Sequence, residues 1–191
     1  MFASLVSATV RILFFRAGPQ DFPYEPRLTL PIAVAAAGVN ALMFVQVLPV
    51  ATSLLLAAAL VAGFAMTTRA LLRARNLDAR FHQTYAALLA TNAVLTLALL
   101  PFFAQIAPTL RELASNPQLL EHPDKFKLPQ STAFIMNMLN FWSIGVMAWI
   151  FRNAANLSIL LGLLLTFVVG IVLLFFLAFI SSFAGLLLGG A

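Results

Sequence analysis

The sequence predicts an all-α fold: a polytopic membrane bundle of five transmembrane helices with an N-terminal amphipathic interfacial helix. Three observations carry this. Of 191 residues, 62% are hydrophobic and only 9% charged, against about 25% charged in a soluble domain. So few charges cannot cover a water-facing surface. Five stretches are long and apolar enough to cross about 30 Å of hydrocarbon, which takes roughly 20 residues each. Once those stretches are laid out in order, eight of the eleven Lys and Arg residues fall on one side of them.

The elements follow in chain order, within a single membrane domain over 1–191. Residues 1–16 read as a helix with Phe2, Leu5, Val6, Leu13 and Phe14 near one face and Ser4, Ser7 and Arg11 on another. The segment is too short to span and fits a helix lying in the headgroup layer. A helix packed on the bundle is the other reading of so short an apolar run. It does not read as a signal peptide, because no basic start precedes an apolar core and Arg11 interrupts the run. Residues 17–29 form a proline-rich entry in which Pro19, Pro23 and Pro26 forbid a regular helix. Phe22 and Tyr24 suit the membrane surface.

The first span, 30–48, offers Ala33, Ala35, Ala36, Ala37 and Gly38 for close helix packing, and Pro49 marks a turn. The second, 52–71, ends in a connection holding Arg69, Arg73, Arg75 and Arg80. The third, 82–106, carries Pro101 as a kink. An outer loop over 108–130 follows, with Pro108, Pro117, Pro123 and Pro129. The fourth span is 132–151, then Arg152, Asn153 and Asn156 make a short turn. The fifth, 157–183, is longer than a crossing needs and is expected to tilt.

The eight basic residues on one side are Arg11, Arg16, Arg27, Arg69, Arg73, Arg75, Arg80 and Arg152. Arg111, Lys125 and Lys127 are on the other. The basic side is expected to be cytoplasmic. This predicts a cytoplasmic N-terminus and a C-terminus on the opposite side, which is the periplasm in a bacterial inner membrane, the setting implied by the compact chain and by the family resemblance given below. The net charge of +5 does not point to nucleic acid, because the arginines flank spans and form no polar domain. Anionic headgroups of the lipid bilayer are the expected partner of Arg11, Arg16, Arg69, Arg73, Arg75 and Arg80. Absent cysteine excludes disulfides and thiolate metal sites.

Chemistry at depth is sparse. Asn40, Asn92 and Asn140 fall near the middle of their spans, with Asn137 about one turn outward from Asn140. A carboxamide in hydrocarbon needs hydrogen-bond partners, so the four are expected to face the bundle interior. Two readings remain open: bonds that hold helices together, or a polar pocket for a headgroup or small solute. His82, beside Gln83 and Tyr85, reads as an interfacial residue, since no carboxylate stands at depth to share a proton. Glu121-His122-Pro123-Asp124 falls short of the four ligands of a structural zinc site. Ser143, Ser181 and Ser182 lack a base at matching depth. No aspartate lies within a span. An enzyme is therefore not expected, nor a cofactor. Gly63 and Gly170 mark close crossings or mild kinks, and Phe175, Phe176, Phe179 and Phe183 supply lipid-facing or packing bulk.

The segment Phe14-Phe15-Arg16-Ala17-Gly18-Pro19-Gln20-Asp21, running on to Phe22-Pro23-Tyr24, resembles an entry sequence of bacterial proteins of the Yip family. The five spans and the orientation match that family's plan. The chain has no clear copy of the aspartate-leucine-tyrosine-glycine-proline motif of eukaryotic members, so a GTPase partner is not implied. The resemblance implies a non-enzymatic scaffold, adaptor or membrane-organising role, with a membrane-protein partner or a homo-oligomer. The alternative is a small transporter or lipid-handling protein built on the asparagine layer.

Overall fold

The computed structural model describes residues 2–116, 118 and 129–187. Among the described residues six α-helices follow in order: α1 Phe2–Leu13, α2 Pro26–Phe44, α3 Val50–Ala74, α4 Phe81–Ser115, α5 Gln130–Ala155 and α6 Ile159–Leu187. Five are long and apolar enough to cross a membrane, and α1 is short and apolar. No strand occurs among the described residues. The chain has the architecture of a multi-pass membrane protein.

Helix limits follow local chemistry. Pro26 opens α2 at the first helical position, where its missing N–H costs nothing. Three helix ends share one device. Phe15, Asn76 and Asn156 adopt left-handed φ angles of 58°, 55° and 53°. In each, the next residue's N–H reaches back five positions: Arg16 to Arg11 O, Leu77 to Leu72 O and Leu157 to Arg152 O. Asparagine tolerates this conformation, whereas a bulky Phe is an outlier there. The third span was expected to end at 106, with a loop from 108. Instead α4 runs unbroken to Ser115 and holds Pro101 and Pro108 inside it. Each proline removes one backbone bond, but Leu110-Arg111-Glu112-Leu113-Ala114 are good helix formers and carry the helix on. Lys125, Lys127 and the Glu121–Asp124 stretch lie outside the described residues.

The five long helices close a ring in which α2 packs on α3, α3 on α6, α6 on α5, α5 on α4 and α4 on α2. Across it α3 also meets α4. Two contacts depend on glycine. A Cβ at Gly162 would fall 2.6 Å from Ala148 O, and one at Gly63 would fall 2.5 Å from Leu173 Cδ2. These positions let α6 approach α5 and α3. Gly170, by contrast, faces open space, so it marks no close crossing. Helix α1 rests on α4 and α5 through buried Ala8, Ile12 and Leu13, while Ser4, Ser7 and Arg11 stay exposed. Of the residues expected on the apolar face only Leu13 is buried, while Phe2, Val6 and Phe14 are exposed, so α1 packs through a different face from the one its sequence pattern indicated.

Candidate functional site

Three places hold polar chemistry against the bundle. The first is at mid-depth. Asn40 on α2 donates from Nδ2 to Asn92 Oδ1 on α4 at 2.8 Å and to Ala36 O at 2.8 Å. Asn92 lies eleven residues beyond Phe81, about 16 Å along the axis of α4 at 1.5 Å per residue. A void of about 20 Å³ touches Asn92, Thr91 and Ser143, space for one water at most. No roomy cavity adjoins the pair in that void, and the bond bridges two helices.

The structure does not bring the other two asparagines to this pair. Asn137 and Asn140 are exposed on α5, among exposed Phe134, Met138 and Phe141. Neither makes a side-chain hydrogen bond among the described residues. They were expected to face inward because an amide in hydrocarbon needs a partner. Their depth was legible in the sequence, but which side of the helix meets the bundle was not.

The second place is the entry segment. Gly18 N donates to Asp21 Oδ2 at 2.8 Å, and Asp21 N returns a bond to Gly18 O. This holds a short 3-10 turn over Pro19–Asp21. Three side chains then bind its flanks by their carbonyls. Trp142 Nε1 donates to Leu13 O at 3.0 Å, and Trp149 Nε1 to Ala17 O at 2.8 Å. Gln83 Nε2 donates to Phe22 O at 2.8 Å. The Phe15 ring sits 5.6 Å from the Trp142 ring and 5.9 Å from that of Trp149. Phe22, expected at the membrane surface, is 2% exposed and belongs to the core. Tyr24 is exposed. Thus the segment is a clasp between α4 and α5, tied through backbone oxygens that any sequence supplies. Sequence reasoning missed Trp142 and Trp149, and their seven-residue spacing on one helix is the signal that could have pointed to the clasp.

The third place lies where Arg80 precedes α4 and Arg152 ends α5. A cavity of about 440 Å³ is lined by Gln20, Arg80, Gln83, Arg152, Asn153 and Asn156. Arg80 donates to Ala154 O at 3.0 Å and to Asn156 Oδ1 at 3.2 Å, binding carbonyls left open at the C-terminus of α5. The Arg152 guanidinium stands 4.8 Å over the Trp149 ring, a cation–π contact. Of the arginines expected at headgroups, only Arg80 belongs to this basin. Arg69 lies 5.7 Å over the Phe81 ring, and Arg73 pairs with Asp78 at 3.8 Å with both side chains exposed. Arg11, Arg16 and Arg75 are exposed. His82 shares a 3.3 Å hydrogen bond with Thr29, an α4-to-α2 tie.

Two apolar grooves also open on the bundle. One, of about 400 Å³, lies between α1, α2 and α4 with Val6, Ile32 and Val94 in its walls. The other, of about 520 Å³, lies between α5 and α6 with Ile144, Phe167 and Ile171. Among the described residues no three His, Asp or Glu side chains gather to hold a metal. No family model matches the chain, and neither a curated protein nor a solved structure is detectably similar to it.

Proposed function

We propose that this protein is a non-enzymatic membrane scaffold that associates laterally with a second copy of itself through the outer half of α5. One observation carries the reading. The mid-depth pair Asn40–Asn92 is satisfied within the bundle, whereas Asn137 and Asn140 are exposed on a helix that crosses hydrocarbon. An amide facing lipid tails has no water to bond. A carboxamide both donates and accepts, so the same face of a second copy completes it. Phe134 and Phe141 on that face add apolar area. The Yip-like entry segment and the basic asymmetry support the same role, in a bacterial inner membrane with the arginine-rich end in the cytoplasm.

The test is the double variant Asn137→Leu/Asn140→Leu, studied by crosslinking in native membranes. Wild type should form a dimer and the variant should not, with unchanged expression and unfolding midpoint. A monomeric wild type, or a dimer that survives the substitutions, overturns the reading. Orientation is tested separately, with single cysteines at 75 and 125 and an impermeant thiol reagent. Position 125 should label from outside and position 75 should not.

A further inference from the structure

The basin at the arginine-rich end has more donors than acceptors and no acid in its lining. The one ion pair among the described residues is Arg73–Asp78, so the charges of Arg80 and Arg152 are uncompensated. Arg80 uses one terminal nitrogen on the end of α5 and on Asn156, which leaves Nε and the other terminal nitrogen unspent. Arg152 stacks on Trp149 and donates no hydrogen bond among the described residues. Asn156 gives Oδ1 to Arg80, so its Nδ2 donors remain. Two acceptors are also unspent: Asn153 uses Nδ2 on Trp149 O, and Gln83 uses Nε2 on Phe22 O. Two guanidiniums with an amide donor match the oxygens of a phosphate, which arginine binds as a planar fork. The free Asn153 and Gln83 oxygens match hydroxyl groups carried beside it.

We propose that this basin binds a phosphate-bearing anion, with an anionic glycerophospholipid headgroup as its source. The phosphate meets Arg80, Arg152 and Asn156 Nδ2, and headgroup hydroxyls meet Asn153 Oδ1 and Gln83 Oε1. The position fits, because the basin stands where α4 begins and α5 ends, the level at which a spanning helix meets headgroups. The volume of about 440 Å³ admits a headgroup while the acyl chains stay in the bilayer. This site is independent of the α5 association proposed above and lies at the other end of that helix.

The test uses the full chain in phosphatidylcholine nanodiscs with a rising share of phosphatidylglycerol, and reads bound lipid by native mass spectrometry after release. Wild type should retain phosphatidylglycerol selectively. Arg152→Gln should lower that selectivity about ten-fold, the effect of one charge-assisted hydrogen bond. Arg75→Gln removes the same charge outside the basin and should lower selectivity far less, because Arg75 meets headgroups only as an exposed surface charge. Asn156→Gly keeps the left-handed turn, which glycine adopts freely, and should lower selectivity several-fold without unfolding. A soluble arm adds millimolar inorganic phosphate or glycerol 3-phosphate to lipid-depleted protein. Stabilisation there that depends on Arg152 supports the phosphate site and reassigns its source to a soluble ligand. Selectivity unchanged by Arg152→Gln and Asn156→Gly, with no soluble effect, overturns the proposal. So does an equal loss in Arg75→Gln, which marks general charge attraction.

Discussion

The entry segment and α6 are held by opposite means. The segment from Leu13 to Phe22 is short and irregular, and it is tied by hydrogen bonds from Trp142, Trp149 and Gln83. Helix α6 is the most apolar span, yet its most apolar stretch buries less than half the share that α4 buries. Its side-chain bonds, from Thr166 and Ser182, stay within the helix. Its closest approach to a neighbour's backbone is at Gly162, where a Cβ would meet Ala148 O, while at Gly63 the Leu173 side chain packs against the bare backbone of α3. The contrast teaches that apolarity here tracks lipid exposure and not burial. Lipid tails compete with protein for an apolar face, so polar ties and close contacts decide position.

The largest expected effect is at the clasp. Trp149→Ala removes the bond to Ala17, the ring contact with Phe15 and the platform under Arg152, and should cost about 3–5 kcal/mol. Phe179→Ala on the exposed face of α6 should cost far less. Equal losses in unfolding assays would erase the contrast between the two regions. Next is shape. Gly162→Ala sets a Cβ against Ala148 O and should cost about 1–3 kcal/mol, while Gly170→Ala should be near neutral. A neutral Gly162→Ala would show that α6 is not held at that contact. Smaller still is the mid-depth pair. Asn92→Leu should cost about 0.6 kcal/mol, with about 1.7 as an upper end. The smallest effect belongs to Phe175→Leu, a swap of one exposed apolar side chain for another, which should leave the unfolding midpoint unmoved.

The span pattern was legible because crossing a bilayer takes a length and a composition, and both are written along the chain. Chain order then separated the arginines into two groups. The facing of each helix was not legible. Asn40 and Asn140 look alike as sequence, a carboxamide among apolar residues, yet one is bonded across helices and the other exposed. In water a polar stripe would have told them apart, but in lipid both sides of a helix are apolar. The basin was half legible. Arg152, Asn153 and Asn156 read as a turn, whereas Arg152 and Asn153 belong to the last turns of α5 and only Asn156 lies beyond it, and the union with Arg80 and Gln20 spans far-apart positions. Nothing local encodes it. Nor could Phe15 be foreseen in a left-handed conformation, since its ring is held by tryptophans on a distant helix.

That distance has a consequence for biogenesis. Leu13 and Ala17 accept bonds from residues 129 and 132 positions later in the chain. At a synthesis rate of about 5–20 residues per second, those tryptophans emerge roughly 6 to 26 s afterwards. Through that interval α2, α3 and α4 can insert while the N-terminal segment has no tryptophan to hold it. The part translated first is therefore held at most by α4, through Gln83, until α5 is delivered with its two tryptophans. Translation halted before Trp142 should leave a protease-sensitive N-terminus, and elongation past Trp149 should protect it.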